Sequence, residues 1–186
     1  MTLTVKERAR HVATFRFVEV RLMETLAAWV PSTPEMEAKL LFGPHIWECA
    51  ESADALGRRG HELRLPLQHS LPPSARYLRL LDELAAVSGA SARIAALYDG
   101  LLPGFMGRLR AYLEATDALM DAPSVRVVER ILQAHERMLG DAAAVRAQCP
   151  DLAVPERGVA ERWMDRECTA DLLAADGGAD LSRQAA

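Results

Sequence analysis

Aromatic side chains are scarce in this chain: three Trp, three Tyr and four Phe, or 5% of 186 residues. Sheet proteins draw on aromatic and β-branched residues for their pleated faces, so this scarcity, beside an abundance of Ala, Leu and Arg, points to helices. Lysine is nearly missing, with Lys6 and Lys39 alone. Arginine carries the remaining positive charge, and 22 basic against 26 acidic residues leave a net charge of −4. Nucleic-acid binders usually carry a basic surplus, so no nucleic-acid partner is expected. The three cysteines, Cys49, Cys149 and Cys168, are odd in number and form no CxxC. That excludes a zinc ribbon or a disulfide framework and reads as a reduced, cytosolic set. No apolar run approaches the roughly 18 residues of a membrane span. Glu7, Arg8 and Arg10 stand where a signal peptide would be apolar. A cytoplasmic protein with no membrane partner is the expectation.

What is present is helical periodicity over most of the chain. The pattern predicts one helical bundle domain over 1–150, then a short helix and flexible tail over 151–186. Helices are expected near 4–30, 34–59, 74–87, 90–102, 104–120 and 124–147. Thr4 and Ser74 read as N-caps; Thr33 reads as a third, with Pro34 at the first helical position. Pro66, Pro72 and Pro73 make residues 61–73 a long crossover. Pro103-Gly104 predicts a kink or break. Trp163 and Met164 fall on the short helix from Pro155 to Glu167, Trp163 packing back on the bundle or on a second subunit.

Polar residues inside apolar stripes mark the candidate site. A helix advances by about 100° per residue, so each face can be drawn. Around Glu19 lie Val12, Phe15, Leu22, Met23, Leu26 and Val30; around His45 lie Ala38, Leu41, Phe42, Cys49, Ser52 and Leu56. His135 sits among Val128, Leu132, Leu139 and Ala142, and Glu48 falls at the edge of its stripe. A short turn at 32 and 33 folds the first two helices into a hairpin with position k level with 65 − k. That register brings Glu19 beside His45, and Arg16 near Glu48. Glu114 and Glu129 face each other across the second hairpin but point away from its core. Asp117 and Arg126 read as a surface ion pair, and Arg58, Arg59 and Arg64 as a solvated face.

The hairpin–crossover–hairpin plan resembles the ferritin-like superfamily over roughly residues 10–145. The stretches Gly43-Pro44-His45-Ile46-Trp47-Glu48-Cys49-Ala50-Glu51-Ser52-Ala53-Asp54-Ala55-Leu56 and Asp117-Ala118-Leu119-Met120-Asp121-Ala122-Pro123-Ser124-Val125-Arg126 carry the likeness to its less-characterised bacterial members. The resemblance implies an all-α, ferritin-like up-down bundle with a metal-dependent oxidoreductase site on Glu and Glu-x-x-His motifs. Glu19 matches the first Glu. His45-x-x-Glu48 reverses the second motif, Glu48-x-x-Glu51 lacks its His, and Glu129-x-x-Leu132 and His135-x-x-Met138 depart further. A single metal is easier to build than a di-iron centre, and mixed Glu/His ligation suits iron, manganese or zinc.

The residues leave three function classes open. In the first, Glu19, His45, Glu48 and His135 hold iron or manganese for an oxidoreductase of small molecules. In the second, Glu19 and His45 are a metal-free proton-transfer couple or a ligand-binding pair acting on a small-molecule substrate. In the third, the polar set only fixes helix register in a dimerising or scaffold protein, with a homodimer as partner.

Overall fold

A computed structural model describes residues 2–152 and 158–174. Among them every regular element is helical and no strand occurs. The order is α1 (Val5–Ser32), α2 (Met36–Glu62), α3 (Ala75–Ala85), α4 (Ala90–Ile94), a π-helical segment (Ala95–Leu101), α5 (Leu102–Ala115), α6 (Ala122–Gln148), a short 3-10 turn (Pro150–Leu152) and α7 (Val159–Thr169). The expected all-α class is thus what the chain forms. The expected start of the short helix at Pro155 and the tail beyond Gly177 lie outside the described residues.

Two caps fall where the sequence puts them. Thr4 and Glu7 form a reciprocal capping box at the start of α1, and Ser74 accepts from the Tyr77 amide at the start of α3. Thr33 does not cap α2. It closes α1, its hydroxyl donating to the Trp29 carbonyl at 2.8 Å, and α2 begins at Met36 behind Glu35. The α1–α2 turn is clamped from outside by Arg93, which donates to Thr33, Ser32 and the Trp29 and Val87 carbonyls and lies over the Trp29 ring.

Because α1 runs on to Ser32 and α2 starts late, the fold point moves along the chain. Trp29 packs against Phe42, Glu19 sits beside Cys49, and Gly60 faces Val12. The expected register puts positions 36, 46 and 53 at those levels. This shift takes Glu19 away from His45. It also takes Arg16 to Gln68 and Ser70 of the crossover instead of Glu48.

The bundle is α1 against α2, α2 against α6, and α6 against α5, with α3 on α1. One core runs through it, from Phe15, Leu22 and Leu26 of α1 through Phe42 and Leu56 of α2 to Phe105 of α5 and Val128 and Met138 of α6. Of the kink or break expected at Pro103-Gly104, no break occurs: the π-helical segment runs directly into α5. Proline removes one intrahelical donor, and the π-helical turn before it re-spaces the ladder so that the chain stays helical into α5. The predicted helix 104–120 stops instead at Ala115. Asp117 then accepts from the Leu119 and Met120 amides, which makes a turn rather than the expected pair with Arg126. Met120, within the helix expected to run to 120, is exposed in this turn.

That turn is built on a buried aspartate. Asp121 accepts from Tyr112 (2.6 Å), Thr116 (2.8 Å), Ser124 (2.6 Å) and Arg59 (2.9 Å). Burial alone would raise its carboxyl; the hydrogen bonds outweigh it and hold the group below its ordinary range. Arg59 is therefore a tie between α2 and the α5–α6 corner, not part of a solvated face. Finally, α7 lies across the π-helical segment and α5, with Trp163 over Gly100 and Glu167 over Gly104. Trp163 thus packs back on the bundle.

Candidate functional site

Wheel reasoning placed the three core polar residues correctly in depth: Glu19 and His135 are 0% exposed and His45 is 2% exposed. It did not place them in one cluster. Glu48 sits on the rim beside Arg137 at 3.3 Å. Glu114 and Glu129 are exposed, as expected.

Glu19 and His135 meet each other. Oε1 of Glu19 lies 3.0 Å from Nε2 of His135, between α1 and α6. The approach is close but badly directed, and neither group completes a hydrogen bond of good geometry. The Cys49 thiol lies beside this pair; burial pushes its pKa well up, and the Glu19 carboxylate pushes it further. A buried thiol held neutral is a packing group, not a nucleophile.

His45 takes a different set of partners. Its Nδ1 is 2.8 Å from the Tyr98 hydroxyl, contributed by the π-helical segment, and its Nε2 is 3.3 Å from Asp141 Oδ2 of α6. Burial pushes the Tyr98 phenol well up, so it keeps its proton and donates to Nδ1. The neutral ring then carries its own proton on Nε2 and donates it to Asp141. Burial lowers the His45 pKa, with Asp141 pulling the other way, so the imidazole is the neutral form near pH 7. The result is a directed line, Tyr98 to His45 to Asp141, running from core to surface.

That line ends in a cleft of about 390 Å³ between the start of α2 and the end of α6. Glu37, His45, Asp141 and Gln148 supply its polar groups, and Leu41, Pro44 and Val145 are among its apolar walls. Its size suits a small organic molecule. A second hollow of about 460 Å³ lies between α1, α5 and residues 171–173. Its basic groups are already engaged, His11 with the Glu7 carbonyl and Arg108 with Glu167 and the last carbonyls around α7.

The expected metal set does not converge in this geometry. Glu19 and His135 face each other, His45 has both ring nitrogens occupied by protein groups, and Glu48 faces an arginine. Among the described residues no three His, Cys, Asp or Glu side chains converge as a metal-holding group. The four residues named for iron or manganese therefore do not form a ready centre. His61 lies in the last turn of α2, its ring contacting the Leu65 carbonyl, and His69 lies in the crossover.

Tyr98, Asp141 and Glu37 were missed by the sequence reading. Asp141 borders the α6 stripe next to Ala142, where a charge reads as surface. Tyr98 lies in a π-helical stretch, so a 3.6-residue wheel gives it the wrong bearing. Comparison of the chain with protein-family models, with curated proteins and with solved structures found no match.

Proposed function

We propose that this chain binds a small molecule in the α2–α6 cleft and exchanges a proton with it through His45. The supporting observation is the Tyr98–His45–Asp141 line opening into a hollow with mainly apolar walls. Tyr98 fixes the ring and its tautomer, which leaves Nε2 as the atom that faces the cleft. Asp141 is 65% exposed on its side chain and can swing aside for a ligand, giving Nε2–H a new acceptor. Of the expected couple, His45 keeps its role in this reading, while Glu19 becomes part of the core.

The ferritin-like reading stays attached to this proposal through the α1–α2 hairpin, the 63–74 crossover and the α5–α6 hairpin. The metal-dependent oxidoreductase reading has less support, because its four ligands are dispersed among three separate contacts. Elemental analysis of protein purified without chelator tests it: near-stoichiometric iron or manganese, lost in Glu19→Gln, would restore it. Light scattering tests the homodimer.

The cleft itself is tested by a fragment screen using ligand-observed NMR. Hits should compete with one another, shift the His45 ring signals, and vanish in the cleft-filling variant Val145→Trp. Hits that persist in that variant would overturn the assignment.

A further inference from the structure

The cleft has charge of one sign only. Its ionised groups are Glu37 and Asp141, and no Lys or Arg lines it. The Glu37 side chain makes no ion pair or hydrogen bond with any described residue. Asp141 has only the 3.3 Å contact to His45, a ring that burial keeps neutral. The cations nearby in sequence are committed elsewhere: Arg146 to Asp99 at 2.7 Å and Arg137 to Glu48. Lys39 lies roughly 160° round α2 from Glu37 and so faces away. Between the carboxylates the wall is aliphatic, with Leu40, Leu41, Pro44 and Val145.

From this arrangement we infer that the ligand of the cleft is an organic cation with an apolar body, a protonated alkyl- or arylalkylamine in chemical class. The inference rests on the cleft reading given above. An anion entering the hollow would meet two carboxylates with no protein cation to offset them. A neutral apolar molecule would use the walls and leave both exposed carboxylates to water, gaining nothing from them. An ammonium group supplies the missing charge and up to three donors, which Asp141 and Glu37 accept while the hydrocarbon covers Leu41 and Val145. The ammonium has no lone pair, so it takes the other Asp141 oxygen without accepting from His45, and the acceptor for the Nε2 proton is a further group on the ligand's body. The inference thus identifies Glu37 and Asp141 as the residues that set specificity by charge.

The test uses three probes with one body and three heads: octylamine, octanoate and octanol, titrated into the full chain near neutral pH by calorimetry. The amine should bind most tightly, the alcohol more weakly, and the carboxylate least. Glu37→Gln and Asp141→Asn should each weaken the amine about two- to fivefold, the range expected of partly exposed ion pairs. The double variant should bring the amine to the level of the alcohol, whose own affinity stays the same. Added salt should weaken the amine alone. Both positions are exposed, so circular dichroism of the variants should match the parent. Octanol or octanoate binding as well as octylamine would overturn the charge assignment while leaving the cleft reading in place. Failure of all three probes to bind would overturn both.

Discussion

At the scale of single residues, the buried Glu19–His135 contact makes an asymmetric prediction. Removing the imidazole leaves a carboxylate in the core with no counterpart, whereas Glu19→Gln keeps the shape and removes the charge. His135→Ala should therefore cost about 3–5 kcal/mol of unfolding free energy. Glu19→Gln should stay within about 1 kcal/mol of the parent, in either direction. Urea denaturation of the two variants checks this, and equal losses would contradict it. Asp121 should be just as sensitive for a different reason: four groups donate to it. Asp121→Ala takes the acceptor from three buried hydroxyls and one Arg59 N–H together, so a loss of about 3–5 kcal/mol is expected in the same assay. Residue depth was legible in the sequence because depth follows from a face, and a face follows from a helical period. The pairing of residues was not, because it depends on register and on turns whose ends lie a residue or two from their apparent signals. Thr33 is the instance: a good N-cap by type, it was needed by Arg93 and Trp29 to close the preceding helix.

Among the elements, α7 makes the sharpest demand on its neighbour. A Cβ at Gly100 would stand 2.3 Å from the Trp163 Cβ and 3.2 Å from the Ala160 carbonyl, so the obstacle includes backbone that cannot turn aside. Gly100→Ala should push α7 off the π-helical segment and cost about 1–3 kcal/mol, the usual range for overpacking. The readout is a urea melt with amide chemical shifts for 159–169; unchanged α7 shifts would refute it. Gly107, which meets nothing within 4 Å, is the matching control. The π-helical segment itself had no sequence signal that a wheel could use. Pro103-Gly104 reads as a break, and only the buried surroundings, filled by Leu97, Tyr98 and Leu101, keep the chain helical through it.

For the molecule as a whole, acid should act in two windows. His45 and His11 both have pKa values lowered by burial, so the unfolded chain takes up protons that the native state refuses. Stability is then full above the ordinary histidine value of about 6.5 and falls as the pH drops below it. Asp121 has its carboxyl held low, so its contribution is present above the ordinary Asp value and is lost as the pH falls through its folded value. Glu167 works the opposite way: burial raises its carboxyl, and protonation relieves that penalty. Denaturation midpoints across a pH series should show the first decline below about pH 6.5, flattened in His45→Gln and His11→Gln. A decline that begins only in the carboxylate range in the parent protein would contradict this. Fold class was legible at this scale, since composition and period agree along the chain. The cleft was not, because it lies where the start of α2 meets the end of α6, and no local pattern reports a meeting of segments about a hundred residues apart.

The Asp121 corner also gives α6 the mechanics of a cantilever. Its root is bolted to α2 through Arg59 and to the end of α5 through Tyr112 and its C-cap Thr116, while past Ala142 no residue of α6 is buried and its hold is the Arg146–Asp99 pair and the half-buried Val145. Asp141 stands about 25 Å from Ser124 along the helix, at 1.5 Å rise per residue. Small deflections at a fixed root grow along a beam, so amide hydrogen exchange should be slowest near 128–135 and quicken steadily toward 148. A molecule seated in the cleft would load the beam at its tip: exchange should slow over 141–148 and stay as it was at the root.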